Sequence, residues 1–137
     1  MELKHEETTD RILKAFFKVY GKLGYGFLEK VYENALVHEL KKQGLTVSPQ
    51  LPIQVSYDDI IVGEYFADIA VADKVIIEIK AARQLSIQHE AQLLNYLKAT
   101  AFEVGLLLNF GPKAEFKRRV FSNARKTPLV QAEGVVL

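Results

Sequence analysis

The 137-residue chain is 49% hydrophobic and 26% charged with a net charge of +1, which fits one globular domain over residues 1–137 and excludes a globally basic nucleic-acid binder. The absence of cysteine rules out disulfides and cysteine-ligated zinc. With no signal-like start and no apolar run long enough to span a bilayer, the expected compartment is the cytoplasm, without a membrane partner.

Apolar residues Ile12, Leu13, Phe16, Phe17, Val19, Tyr20 and Leu23 recur at helical spacing and predict a first helix over about residues 6–22, with Thr8 or Thr9 as its cap. Gly21, Gly24 and Gly26 open a turn, and Leu28, Val31, Tyr32, Ala35, Leu36 and Leu40 mark a second, antiparallel helix that ends by Gly44. Beyond Pro49 and Pro52, residues 53–57 and 60–72 read as strands around an Asp58-Asp59 turn, and residues 74–80 as the next strand. Ser86 suits the cap of a third helix reaching about Thr100. Val104 to Phe110 is an apolar strand, and Phe116 to Phe121 adds an edge strand. The order is ααβββαβ with a further edge strand, an α/β arrangement. Pro128 to Leu137 is apolar and has no assigned element.

The most informative feature is polar. Asp68 interrupts Tyr65-Phe66-Ala67-Asp68-Ile69-Ala70-Val71, and Glu78 and Lys80 interrupt Val75-Ile76-Ile77-Glu78-Ile79-Lys80. If the chain reverses about Asp73, residues whose numbers sum to 146 face each other, and Asp68 lies opposite Glu78. Strand alternation puts Asp68, Glu78 and Lys80 on one face and Ile69, Val71, Ile77 and Ile79 on the other. Two close carboxylates repel and pay for desolvation, a penalty that a divalent cation removes. Magnesium needs one or two carboxylates beside a substrate phosphate, and a neighbouring lysine suits the charge that develops there. The plainer reading is a solvated ion network on a surface hairpin, against which the apolar flanks argue.

Two helices add polar residues at helical spacing. In Gly26-x-x-Glu29-x-x-Tyr32, Glu29 shares a face with Tyr32 and Leu36, where an acid needs a partner. Gln92 and Tyr96, one turn apart, can present an amide and a phenol to one point; on spacing alone an ordinary amphipathic boundary is the better explanation of them. Arg83 follows Lys80 closely. Lys113, Lys117, Arg118, Arg119, Arg125 and Lys126 form a basic run with one acid, Glu115. Such a run serves as a solvated edge or, near a site, tracks a phosphate backbone.

Taken together these segments resemble the GxxExxY proteins, a branch of the PD-(D/E)XK nuclease-like superfamily, over roughly residues 5–122. The matching stretches are Gly26-Phe27-Leu28-Glu29-Lys30-Val31-Tyr32, Gly63-Glu64-Tyr65-Phe66-Ala67-Asp68 and Ile77-Glu78-Ile79-Lys80. They continue in the Gln92-x-x-x-Tyr96 helix and Gly105-Leu106-Leu107-Leu108-Asn109-Phe110-Gly111. Ala67 stands where the superfamily name puts proline. The resemblance implies a restriction-endonuclease-like core, a mixed central sheet flanked by helices. It also implies a Mg2+- or Mn2+-dependent nuclease. In that scheme Asp68, Glu78 and the Ile79 carbonyl hold the metal, Glu29 supports it through water, and Lys80 serves the nucleophile. Gln92 and Tyr96 would contact the strand or support the metal site.

Nucleic acid is thus the expected partner, DNA favoured over RNA, with Arg83, Lys117, Arg118 and Arg119 as expected phosphate contacts. Self-association into a homodimer, with the 128–137 tail as one interface element, would double the footprint. The competing class is a noncatalytic nucleic-acid- or protein-binding module that retains the fold. Other chemistries are poorer fits. Gly21 to Gly26 joins two helices and lacks the Gly-Lys-Ser/Thr ending of a phosphate loop. His5, His38 and His89 lack zinc spacing. A glycosidase pair would not call for Lys80 on the same strand.

Overall fold

The computed structural model describes residues 3–126. The elements run α1 (Glu6–Leu23), α2 (Glu29–Lys42), β1 (Val47–Tyr57), β2 (Ile60–Val71), β3 (Val75–Lys80), α3 (Ile87–Lys98), β4 (Val104–Phe110) and β5 (Ala114–Val120), then a short 3-10 turn at Asn123–Arg125. The five strands form one mixed sheet in sequence order, antiparallel except for the parallel pair β3–β4. Helix α3 makes that parallel connection, as a crossover must. The α/β fold and its expected order hold. Residues 127–137, including the expected interface tail, lie outside the described residues.

The sheet separates two apolar layers. Ile69, Val71, Ile77 and Ile79 pack with Ile12, Phe16, Tyr32, Leu36 and Leu40 of α1 and α2 on one face. Ala70, Ile76 and Leu107 pack with Leu93, Tyr96 and Leu97 of α3 on the other. Arg11 bonds Gln43 and Lys18 pairs with Glu39 at 3.0 Å, so the first two helices run antiparallel. Gly105 lets α3 settle closely on β4, because a Cβ there would meet the Leu93 side chain at 2.7 Å.

The hairpin register is the expected one, with Ile69 opposite Ile77 and Val71 opposite Val75. The β1–β2 turn falls at Asp58 and Asp59, both with positive φ, as a two-residue primed turn requires. Several boundaries differ. Strand β1 begins at Val47 and runs through Pro49 and Pro52, which an edge strand tolerates because one row of its amides needs no partner. Thr8 and Thr9 do not cap α1; His5 occupies the cap position and Thr9 donates to the Glu6 carbonyl within the helix. Ser86 caps α3 as expected, and His89 returns the bond to its backbone N–H.

Candidate active site

Beyond Ile69–Ile77 the β2–β3 ladder gives way to side chains. The Asp68 N–H donates to Glu78 Oε2 at 2.7 Å, and the Ile79 N–H donates to Asp68 Oδ2, also at 2.7 Å. Each carboxylate therefore replaces a strand hydrogen bond, and the two acids lock the diverging strands through one oxygen apiece. The second oxygen of each has no hydrogen-bond partner among the described residues. Glu78 is 4% exposed, and its carboxyl is pushed up to about 8, first by burial and then by the Asp68 charge. Burial likewise raises Asp68, while the Ile79 N–H opposes the rise.

This donor set fits a divalent cation. The pair is crowded, with Glu78 buried and Asp68 half-buried, and Lys80 is the cation that acts on both; their free oxygens match the one or two carboxylates that magnesium takes. No group of three or more His, Cys, Asp or Glu side chains assembles a fuller ligand cage among the described residues. Backbone carbonyl, water and phosphate would have to complete the shell.

Lys80 sits on the same face as Glu78 and donates from Nζ to Gln92 Oε1 at 3.5 Å; Gln92 Nε2 donates to Tyr96 Oη at 3.1 Å. The chain has a direction. With its oxygen accepting from Gln92, the Tyr96 hydroxyl is free to turn its own proton outward. Burial first, and the nearby Glu78 charge second, lift that phenol to about 12, so it stays a donor. Four of the expected residues, Glu78, Lys80, Gln92 and Tyr96, thus lie in sequence along one wall.

Helix α2 delivers its acids from the opposite layer. Tyr32 is fully buried, stacks on Phe110 with ring centroids 4.4 Å apart, and joins Gly24 O and Phe27 N through its hydroxyl. Those two bonds fix the loop from which α2 starts. Glu29, the first residue of that helix, is exposed and adds to the negative field at Asp68. Glu33, one turn later and 5% exposed, adds more to that field and also acts on Glu78. Gln50 donates to both Glu33 oxygens at 3.2 and 3.0 Å. It lies across from Asp68 in β1, between the Pro49–Ile69 and Leu51–Ala67 pairs, with a left-handed φ of 56°. Such strain in a non-glycine strand residue persists only where surroundings hold it and clusters at functional sites.

Glu33 and Gln50 escaped the sequence reading. The i+4 spacing of Glu29 and Glu33 was the available signal; Gln50 had none. Asn109 was missed as well. This fully buried residue clasps the Ala82 N–H and C=O at 2.9 Å each, fixing the segment after Lys80. A polar residue inside the apolar run of β4 was its signal.

The basic residues do not converge on the acids. Arg83 is exposed three residues past Lys80. Lys117 shares a face with Glu78 by register, through Leu107, about 10 Å away at two strand spacings. Arg119 pairs with Glu90 of α3 and Arg118 bonds the Lys4 carbonyl on the other face. Glu90 and Gln92, two residues apart, point to opposite flanks of α3, so that helix stands between Arg119 and the carboxylates.

A mixed sheet clad by helices on both faces, with an acid pair and a lysine where its central antiparallel strands part, defines a restriction-endonuclease-like nuclease core. The profile of the PD-(D/E)XK nuclease superfamily matches residues 6–120, and the chain belongs to that superfamily. Among solved structures it is similar to the crystal structure of SSO0001, with a TM-score of 0.52 and 20% identity, over 68% of this chain and half of that one. No curated protein matches the chain by sequence. Among the described residues no helix is long and apolar enough to cross a membrane.

Proposed function

We propose that the protein is a divalent-metal-dependent nuclease of the GxxExxY branch that hydrolyses phosphodiester bonds in nucleic acid, DNA favoured over RNA. The observation that carries this reading is the reciprocal lock of Asp68 and Glu78, which commits one oxygen of each acid to the backbone and leaves the other for a cation. Asp68, Glu78 and the Ile79 carbonyl would hold Mg2+ or Mn2+, with Glu29 acting through water and Glu33 adding negative charge behind them. When bound, the cation would neutralise the pair and polarise the phosphate. Lys80 holds the attacking water or offsets charge on the phosphate, and the Tyr96 hydroxyl offers a donor to the same group. Arg83 and Lys117 supply phosphate contacts. A homodimer would lengthen the footprint of a chain whose net charge is only +1.

The test is cleavage of labelled single-stranded, duplex, branched and RNA substrates with manganese. Asp68→Asn, Glu78→Gln and Lys80→Ala should each cut the rate more than about 100-fold while the circular dichroism spectrum stays native. Full activity in EDTA would refute the mechanism. A folded protein that binds nucleic acid and cleaves none of these substrates is the noncatalytic module instead.

A further inference from the structure

A groove of about 640 Å3 runs between α3 and the outer part of the β1–β2 hairpin, lined by Val62, Tyr65, Gln92, Asn95 and Tyr96 among others. Gln92 and Tyr96 belong both to this groove and to the chain that starts at Lys80. The groove is thus continuous with the place assigned to the scissile phosphate. Its size falls in the range of small-ligand clefts.

Its walls are suited to a planar, hydrogen-bonding group. The Tyr65 ring is 48% exposed and lies over Gly63, where a Cβ would come within 3.0 Å of Tyr65 Cε2. The glycine therefore sets the ring down on the strand. Tyr96 is the neighbouring ring, with centroids 6.0 Å apart and planes tilted by 45°. Asn95, exposed on the same flank of α3, makes no side-chain hydrogen bond among the described residues. An amide carries donor and acceptor together and so matches the edge of a base, while an aromatic face accepts any base by stacking.

We propose that this groove receives an unpaired nucleobase beside the phosphate to be cut, so that the preferred substrate is single-stranded or locally unpaired nucleic acid. The proposal rests on the nuclease reading and narrows it to a substrate class. A base within an intact duplex cannot reach Tyr65 without leaving its stack, which costs a few kcal/mol in general.

The test measures fluorescence anisotropy in EDTA with a labelled 12-nucleotide single strand and with the blunt duplex of the same sequence. Manganese-dependent cleavage of both is followed in parallel. The single strand should bind at least about 10-fold more tightly. Tyr65→Ala should weaken single-strand binding about 5- to 150-fold with little effect on duplex binding, and Tyr65→Phe should restore it. Asn95→Ala should alter the preference among homopolymer strands. Equal binding of the single strand by Tyr65→Ala and wild type overturns the proposal. So does duplex cleavage that matches single-strand cleavage and is indifferent to Tyr65, an outcome that leaves the nuclease reading intact. Absence of all metal-dependent cleavage removes the nuclease reading, and the Tyr65 binding series still decides the groove.

Discussion

At Glu78 protonation and folding are coupled through one carboxyl, for which the proposed cation would compete. Its ordinary value of about 4.3 in an unfolded chain rises to about 8 in the folded protein because it is buried beside Asp68. The folded chain holds this proton more tightly than the unfolded chain does. The stability it contributes is therefore complete below about pH 4 and is lost as the pH rises through about 8. Asp68, also raised, acts in the same direction. In EDTA the melting temperature of the wild type should fall between pH 5 and pH 8 more steeply than that of Glu78→Gln. The variant should be the more stable at pH 8 by about 1–3 kcal/mol, since its amide oxygen can still accept the Asp68 N–H. Equal slopes in thermal melts would contradict this. Manganese should stabilise the wild type more at pH 8 than at pH 5, because a bound cation displaces the proton, and should leave Glu78→Gln nearly unmoved.

Helix α2 works at the scale of an element, since its entry loop sets where two acids arrive. Removing the Tyr32 hydroxyl leaves the Gly24 carbonyl and the Phe27 N–H without that partner beside the core. Tyr32→Phe should cost about 1–3 kcal/mol in urea unfolding, and it should weaken manganese binding as the start of α2 shifts. The two acids can be ranked. Glu33 is the more buried and contributes more to the field at Asp68 than Glu29 does, so Glu33→Gln should reduce manganese affinity in titration calorimetry more than Glu29→Gln. The reverse order would return the supporting role to Glu29. Gln50→Gly, which fits the left-handed backbone at that position, should leave stability close to wild type while loosening Glu33. A large loss of stability would show that the bond to Glu33 outweighs the strain.

Across the whole molecule, the alternation of β5 and the packing of α3 divide the basic residues into different environments. Arg83 is exposed three residues past Lys80, whereas Arg119 and Arg118 are engaged by Glu90 and the Lys4 carbonyl. Binding measured against salt should lose about 0.9 from its logarithmic slope on duplex, or about 0.7 on single strands, for each phosphate contact removed. Arg83→Ala should show that loss and Arg118→Ala should not. An unchanged slope for Arg83→Ala places the phosphates elsewhere. Sedimentation equilibrium decides self-association, and a monomer at every concentration would reject the proposed dimer.

Apolar periodicity with its turn and cap residues determined the element order, and the strand period of two put Glu78 and Lys80 on one face of β3, each read against its immediate apolar neighbours. The hairpin register followed from the position of the turn, which ties partners to a constant sum. Contacts between layers were beyond such local rules. Glu33 acts on the acid pair by its charge from the opposite layer and is held by Gln50, whose left-handed backbone has no signature in its residue type. The separation of Arg119 from the acids likewise appears only once α3 packs on the sheet, while Arg118 points to the opposite face. A run of basic residues specifies charge, but the alternation of β5 and the helix packed upon it decide which way each charge points.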